Sequence, residues 1–60
     1  MKEYYVDISI FDTRNPSYDF KESRQLEIYA DSKEEAAEKA RNIGRRDEWV
    51  KVVRIWQKPE

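Results

Sequence analysis

The chain has 60 residues, 42% of them charged, and its 12 Lys/Arg against 13 Asp/Glu leave a formal net charge of −1. It contains no Cys and no His, which excludes disulfide staples, thiolate or imidazole metal sites and His-based proton relays together, and the balanced charge supplies no global field toward polyanions. A single domain over residues 1–60 is expected, burying only about 60% of the surface of its unfolded chain.

No apolar run approaches the roughly 20 residues of a membrane helix, and Met1-Lys2-Glu3-Tyr4-Tyr5 lacks the basic stretch and apolar run of a signal peptide, so a cytoplasmic protein is expected. High charge with low mean hydropathy is a signature of disorder, but eight aromatic residues and clean apolar periodicity argue for a core.

From Tyr4 to Phe11 the residues alternate, with Tyr4, Val6, Ile8 and Ile10 on one face and Tyr5, Asp7, Ser9 and Phe11 on the other. That period of two, rich in β-branched residues, predicts a strand. Asp12 to Ser17 gathers turn formers, and Pro16 forbids a continuing central ladder, so a hairpin loop is expected. A second strand is legible from Arg24 to Ala30, where Leu26, Ile28 and Ala30 share one parity and Gln25, Glu27 and Tyr29 the other. Its start falls somewhere after Tyr18.

The sharpest local signal is Asp31-Ser32-Lys33-Glu34-Glu35. Ser32 as N-cap and Glu35 three residues on form a capping box, so a helix starts at Lys33. Ala36, Ala40 and Ile43 recur at i, i+4 and i+7 beside Ala37, and Gly44 stands where a left-handed residue would close the helix, which places its end near Ile43. Glu34, Glu35 and Glu38 early and Lys39, Arg41, Arg45 and Arg46 late suit the helix dipole, and Glu35 with Lys39 makes an i,i+4 pair.

Trp49 to Gln57 is β-branched and aromatic and predicts a third strand. Val50 and Val52 share parity with Trp56, whereas Val53 and Ile55 share it with Trp49, so alternation leaves the inward side open. A bulge near Val52-Val53 would reconcile both runs.

The order β-β-α-β predicts an α+β fold: a three-stranded antiparallel sheet in the order 2-1-3, one helix packed on one face, and a right-handed crossover into the last strand. The even-numbered face of the first strand, with Leu26 and Ile28, would bury against Ala36, Ala40 and Ile43. The stretch Ala30-Asp31-Ser32-Lys33-Glu34-Glu35-Ala36-Ala37-Glu38-Lys39-Ala40 resembles the strand-to-helix turn of many small β-β-α-β proteins, short phage-encoded ones and an archaeal ribosomal subunit protein among them. That resemblance supports the fold and transfers no functional residue.

One helix covers one face of such a sheet. The other would show Tyr5, Asp7, Ser9, Phe11, Gln25, Glu27, Tyr29, Arg54 and Trp56. Aromatic clusters rimmed by charge mark interaction sites, so the expected function is a non-enzymatic protein-binding module, a small modulator or inhibitor of another protein, anchored by Tyr5, Phe11, Tyr29, Arg54 and Trp56. Homodimer formation through that face is an included variant. The plainer reading is that the rings pack across strands and shield the sheet.

A rival reading makes the face a platform for single-stranded nucleic acid, with Arg45, Arg46, Lys51, Arg54 and Lys58 on phosphates; Asp7, Glu27, Asp47 and Glu48 dilute that cluster. Arg45-Arg46 is either a clamp for a phosphate or acidic partner, or a counterweight to the helix C-terminus that pairs with Asp47 or Glu48. The Glu34, Glu35, Glu38 group with Asp31 is either a mimic of nucleic-acid charge or a solvated helix face. No nucleophile elbow, phosphate loop or paired-carboxylate spacing is present; no enzyme activity, cofactor or metal is expected. Asp7, on the central strand, is the only carboxylate placed where burial could perturb it.

Overall fold

The computed structural model describes residues 1–59. Strand β1 (Lys2–Asp12), strand β2 (Asp19–Ala30), helix α1 (Lys33–Arg41) and strand β3 (Glu48–Gln57) follow in that order. They form one antiparallel sheet ordered β2-β1-β3 with α1 against it, an α+β fold.

Alternation in β1 sorts the two sides of the sheet. Tyr4, Val6, Ile8 and Ile10 are all buried and form the core with Ala30, Ala36, Ala40 and Val50. Leu26, Ile28, Val52 and Ile55 pack around them, partly buried. The two buried alanines of α1 let the helix backbone approach β1 closely. Nine helical residues span about 14 Å, whereas the eleven residues of β1 extend roughly 36 Å, so the helix roofs less than half the length of its own side.

The connection between β1 and β2 is built by local hydrogen bonds. The Asn15 side chain accepts from the Ser17 N–H at 3.2 Å, and the Tyr18 N–H closes a turn on the Asn15 carbonyl at 3.0 Å with Pro16 at the position its fixed φ favours. The chain then enters β2 through Tyr18, which holds a φ of 53°, a left-handed conformation uncommon for a bulky residue.

Both edges of the sheet carry an irregularity. The β1–β3 register shifts between Asp7 and Ile8, which pair with Arg54 and Val52 and leave Val53 as the extra residue. This is the bulge expected at Val52-Val53, and it puts Val50, Val52 and Ile55 on the helix side with Trp49 and Trp56 both opposite. The β1–β2 register shifts between Ile10 and Phe11, with Lys21 extra, a bulge with no counterpart in the sequence reading.

The helix begins as expected at Lys33. The Ser32 hydroxyl accepts from the Glu35 N–H at 3.2 Å, but the reciprocal bond is displaced one residue: the Glu35 carboxylate accepts from the Asp31 N–H at 3.0 Å. Its end departs from expectation. The last helical residue is Arg41; the Asn42 N–H is shared between the Glu38 and Lys39 carbonyls and the Ile43 N–H donates to the Ala40 carbonyl, a tightening from α- to 3₁₀-type bonding. That change of phase carries Ile43, expected in the core, out to solvent. Gly44 is no left-handed cap, because no glycine has a positive φ. A Cβ there would stand 2.8 Å from Val50 Cγ2, so its place is set by packing.

Candidate functional site

The register assigns every residue of the uncovered side. From one end to the other the rows are Tyr29–Glu3, Glu27–Tyr5–Trp56, Gln25–Asp7–Arg54, Ser23–Ser9–Lys51 and Phe20–Phe11–Trp49. Each of the five expected anchors, Tyr5, Phe11, Tyr29, Arg54 and Trp56, lies on this face. So do Phe20 and Trp49, and the loop adds Tyr18, whose ring centroid is 6.1 Å from that of Trp49. Seven of the eight aromatic residues thus stand opposite α1, and only Tyr4 is in the core. No second element among the described residues covers them.

The rings form two groups. In the first, Tyr5 and Trp56 are 5.5 Å apart by centroids, Arg54 stacks its guanidinium 4.6 Å over Trp56, and Lys58 lies 5.6 Å from the Tyr5 ring. Lys58 is also 3.4 Å from Glu3, whose carboxylate holds the ammonium pKa above its ordinary value. In the second, Phe11 is flanked by Phe20, edge-on at 5.8 Å, and by Trp49, tilted at 5.3 Å. Tyr5 and Phe11 are six residues apart, so the groups are separated by about 20 Å. Between them lies a polar waist, a shallow depression of about 380 Å3 walled by Asp7, Ser9, Ser23, Gln25 and Val53.

Cross-strand stacking accounts for part of this arrangement. Tyr5, Phe11 and Trp56 are half-buried by their neighbours, as offset and edge-on ring pairs favour. It does not account for all of it. Phe20 is 60% exposed, Tyr29 59%, Tyr18 48% and Trp49 46%. Three of these four rings were not among the expected anchors, because placing Phe20 and Trp49 beside Phe11 requires the two bulges.

The end of the sheet near the hairpin loop carries a charged ladder. Arg14 binds Asp12 through its backbone N–H at 2.9 Å and its guanidinium at 2.7 Å, which holds the Asp12 carboxyl at about pKa 2. Lys21 pairs with Glu48 and draws that carboxyl below its ordinary value, aided by the Arg45 N–H. Arg45 and Arg46 line a separate depression at this end together with Asp12, Arg14, Lys21 and Glu48, but their guanidinium groups form no ion pair among the described residues. The pairing expected with Asp47 or Glu48 is not made, since Lys21 occupies Glu48 and Arg45 reaches it only through its backbone. On α1, Glu35 pairs with Lys39 at 3.3 Å, while Glu34 and Glu38 are exposed. No grouping of acidic side chains among the described residues could hold a metal ion, and no helix is long and apolar enough to cross a membrane.

Models of protein families, curated proteins and solved structures give no match to this chain.

Proposed function

We propose that this chain is a non-enzymatic protein-binding module, a modulator or inhibitor of another protein, and that it engages its partner through the ring-bearing face opposite α1. The observation that carries the reading is the segregation of seven of eight aromatic residues to an uncovered side, four of them exposed. Exposed rings in clusters rimmed by polar groups are the usual composition of energetic hot spots. The anchors follow from exposure: Phe20, Trp49 and Tyr18 at one end and Tyr29 at the other, with Tyr5, Phe11 and Trp56 as the rigid bed beneath. Arg54, over the Trp56 ring, presents guanidinium donors to the rim.

Single-stranded nucleic acid is the rival for the same rings. The cations of this face, Lys51, Arg54 and Lys58, are offset there by Glu3, Asp7 and Glu27, which leaves little counterion release to drive polyanion binding.

The test is affinity capture from nuclease-treated lysate of the source organism, followed by a binding constant for the purified partner. Three baits are compared: wild type, Phe20→Ser/Trp49→Ser, and Glu34→Lys/Glu38→Lys on the outer side of α1. A protein held by wild type and by the helix variant, and weakened about 30-fold or more by the ring variant, is the expected result. Equal capture by the ring variant, or capture that disappears with nuclease, would overturn the reading.

A further inference from the structure

Strand β2 lies at an edge of the sheet, and from Glu22 to Ala30 its register with β1 runs without a break. That stretch contains no Pro and no Gly, two of the usual means of blunting an edge. The opposite edge differs, since β3 is interrupted by the extra Val53.

Two hydrogen bonds show which backbone groups of β2 face outward. The Lys58 N–H donates to the Glu3 carbonyl at 2.9 Å, so Glu3 turns its backbone groups toward β3 and away from its register partner Tyr29. The Tyr29 carbonyl accordingly faces out, where Lys39 Nζ donates to it at 2.7 Å. Antiparallel alternation then directs the N–H and C=O of Ser23, Gln25, Glu27 and Tyr29 outward, and those of Arg24, Leu26 and Ile28 toward β1.

We propose that this edge pairs with the same edge of a second copy of the chain, antiparallel about a two-fold axis at Leu26, to give a continuous six-stranded sheet. The four outward residues are symmetric about Leu26. Ser23 meets Tyr29 of the second copy and Gln25 meets Glu27, so every outward donor and acceptor of the unbroken stretch finds a partner. An axis at Gln25 would send Tyr29 against the bulged Lys21, and one at Glu27 would send Ser23 past the end of the strand and set two Glu27 carboxylates directly opposite.

Side chains support the same register. Leu26 and Ile28 are only partly buried at this edge; across the axis Leu26 meets Leu26, and Ile28 meets the aliphatic stem of Arg24. Lys39 leaves one lone pair of the Tyr29 carbonyl for the incoming Ser23 N–H. The one unfavourable contact is diagonal, between the two Glu27 carboxylates. Because the axis is perpendicular to the sheet, the ring-bearing faces of both copies lie on the same side. The contact involves far fewer than the 20–30 residues a side of a stable interface, so a weak dimer is expected, with Kd about 10 µM to 1 mM.

The chain has no cysteine, so Ser23→Cys and Tyr29→Cys each accept a single nitroxide label for pulsed dipolar spectroscopy, with sedimentation from about 10 µM to 1 mM alongside. Each position is three residues from the axis. Both should report backbone separations of about 20 Å, with a dipolar signal that grows with concentration, and Glu27→Gln should tighten the dimer by up to about fivefold. A chain that stays monomeric at about 1 mM overturns the proposal. So do unequal separations at the two positions, because moving the axis by one residue lengthens one and shortens the other by about 7 Å each.

Discussion

Gly44→Ala is the substitution that most sharply separates packing from backbone conformation in this fold. The φ of Gly44 is not positive, so alanine suits the backbone and would by itself stabilise by about 0.4–1 kcal/mol through the unfolded chain. The added Cβ, however, would stand 2.8 Å from Val50 Cγ2, well inside the ~3.5–4.0 Å of an ordinary carbon contact. Val50 is buried, and a β-branched side chain has few rotamers into which it can retreat. One surplus methyl in such a place costs about 1–3 kcal/mol, which outweighs the entropic gain and leaves a net loss of roughly 1 kcal/mol, or about 4–8 °C in Tm for a domain this small. In a Val50→Ala background the obstructing atom is gone, and the same substitution should become neutral or stabilising by up to about 1 kcal/mol. Urea and thermal unfolding of the four proteins followed by circular dichroism measures the cycle. An equal loss in both backgrounds would refute the packing argument and return the cause to the backbone.

Ser32→Ala removes the acceptor of the Glu35 N–H and should cost about 1 kcal/mol, with amide exchange rising first at Glu34, Glu35 and Ala36; unchanged exchange there would show that the cap contributes nothing. Asp12, Glu35 and Glu48 have folded pKa values below their ordinary ones, Asp12 at about 2, so their contribution is complete above about pH 5 and lost as pH falls through the folded values. The urea midpoint should be flat from about pH 7 to 5 and decline below that, with a shallower decline in Arg14→Gln; a midpoint that rises on acidification contradicts the assignment. Deleting one valine of Val52-Val53 should give a regular ladder with β3 still paired to β1 and both tryptophans still opposite the helix, so cooperative unfolding and the near-ultraviolet signal should persist. Loss of both would mean that the bulge is required for the fold.

How much of this was legible in the sequence depended on whether local chemistry or pairing decided the outcome. The parity of β1, the capping-box start of α1 and the strand order follow from local pattern and connectivity. The Val52-Val53 bulge could be inferred because each half of β3 carries its own apolar parity. The first half of β2, Asp19-Phe20-Lys21-Glu22-Ser23-Arg24, has no alternation to read, because α1 is too short to cover it and its strand conformation is imposed by β1. The Lys21 bulge was hidden for the same reason, and with it the approach of Phe20 to Phe11. Gly44 was misplaced because a glycine after a helix has two explanations, a left-handed turn or a close contact, and only the position of Val50 separates them. Tyr5, Phe11, Tyr29, Arg54 and Trp56 fell on the open face as parity required. Trp49 and Tyr18 needed the folded register and the loop.

Ring accessibility in dilute solution is the most direct measurement of the uncovered face. With a neutral soluble paramagnetic probe in nuclear magnetic resonance, the rings of Tyr18, Phe20, Tyr29 and Trp49 should broaden strongly, those of Tyr5, Phe11 and Trp56 less, and Tyr4 least. Phe20 and Tyr29 as protected as Tyr4 would mean that something in the chain covers that side of the sheet, and the basis for recognition there would be gone.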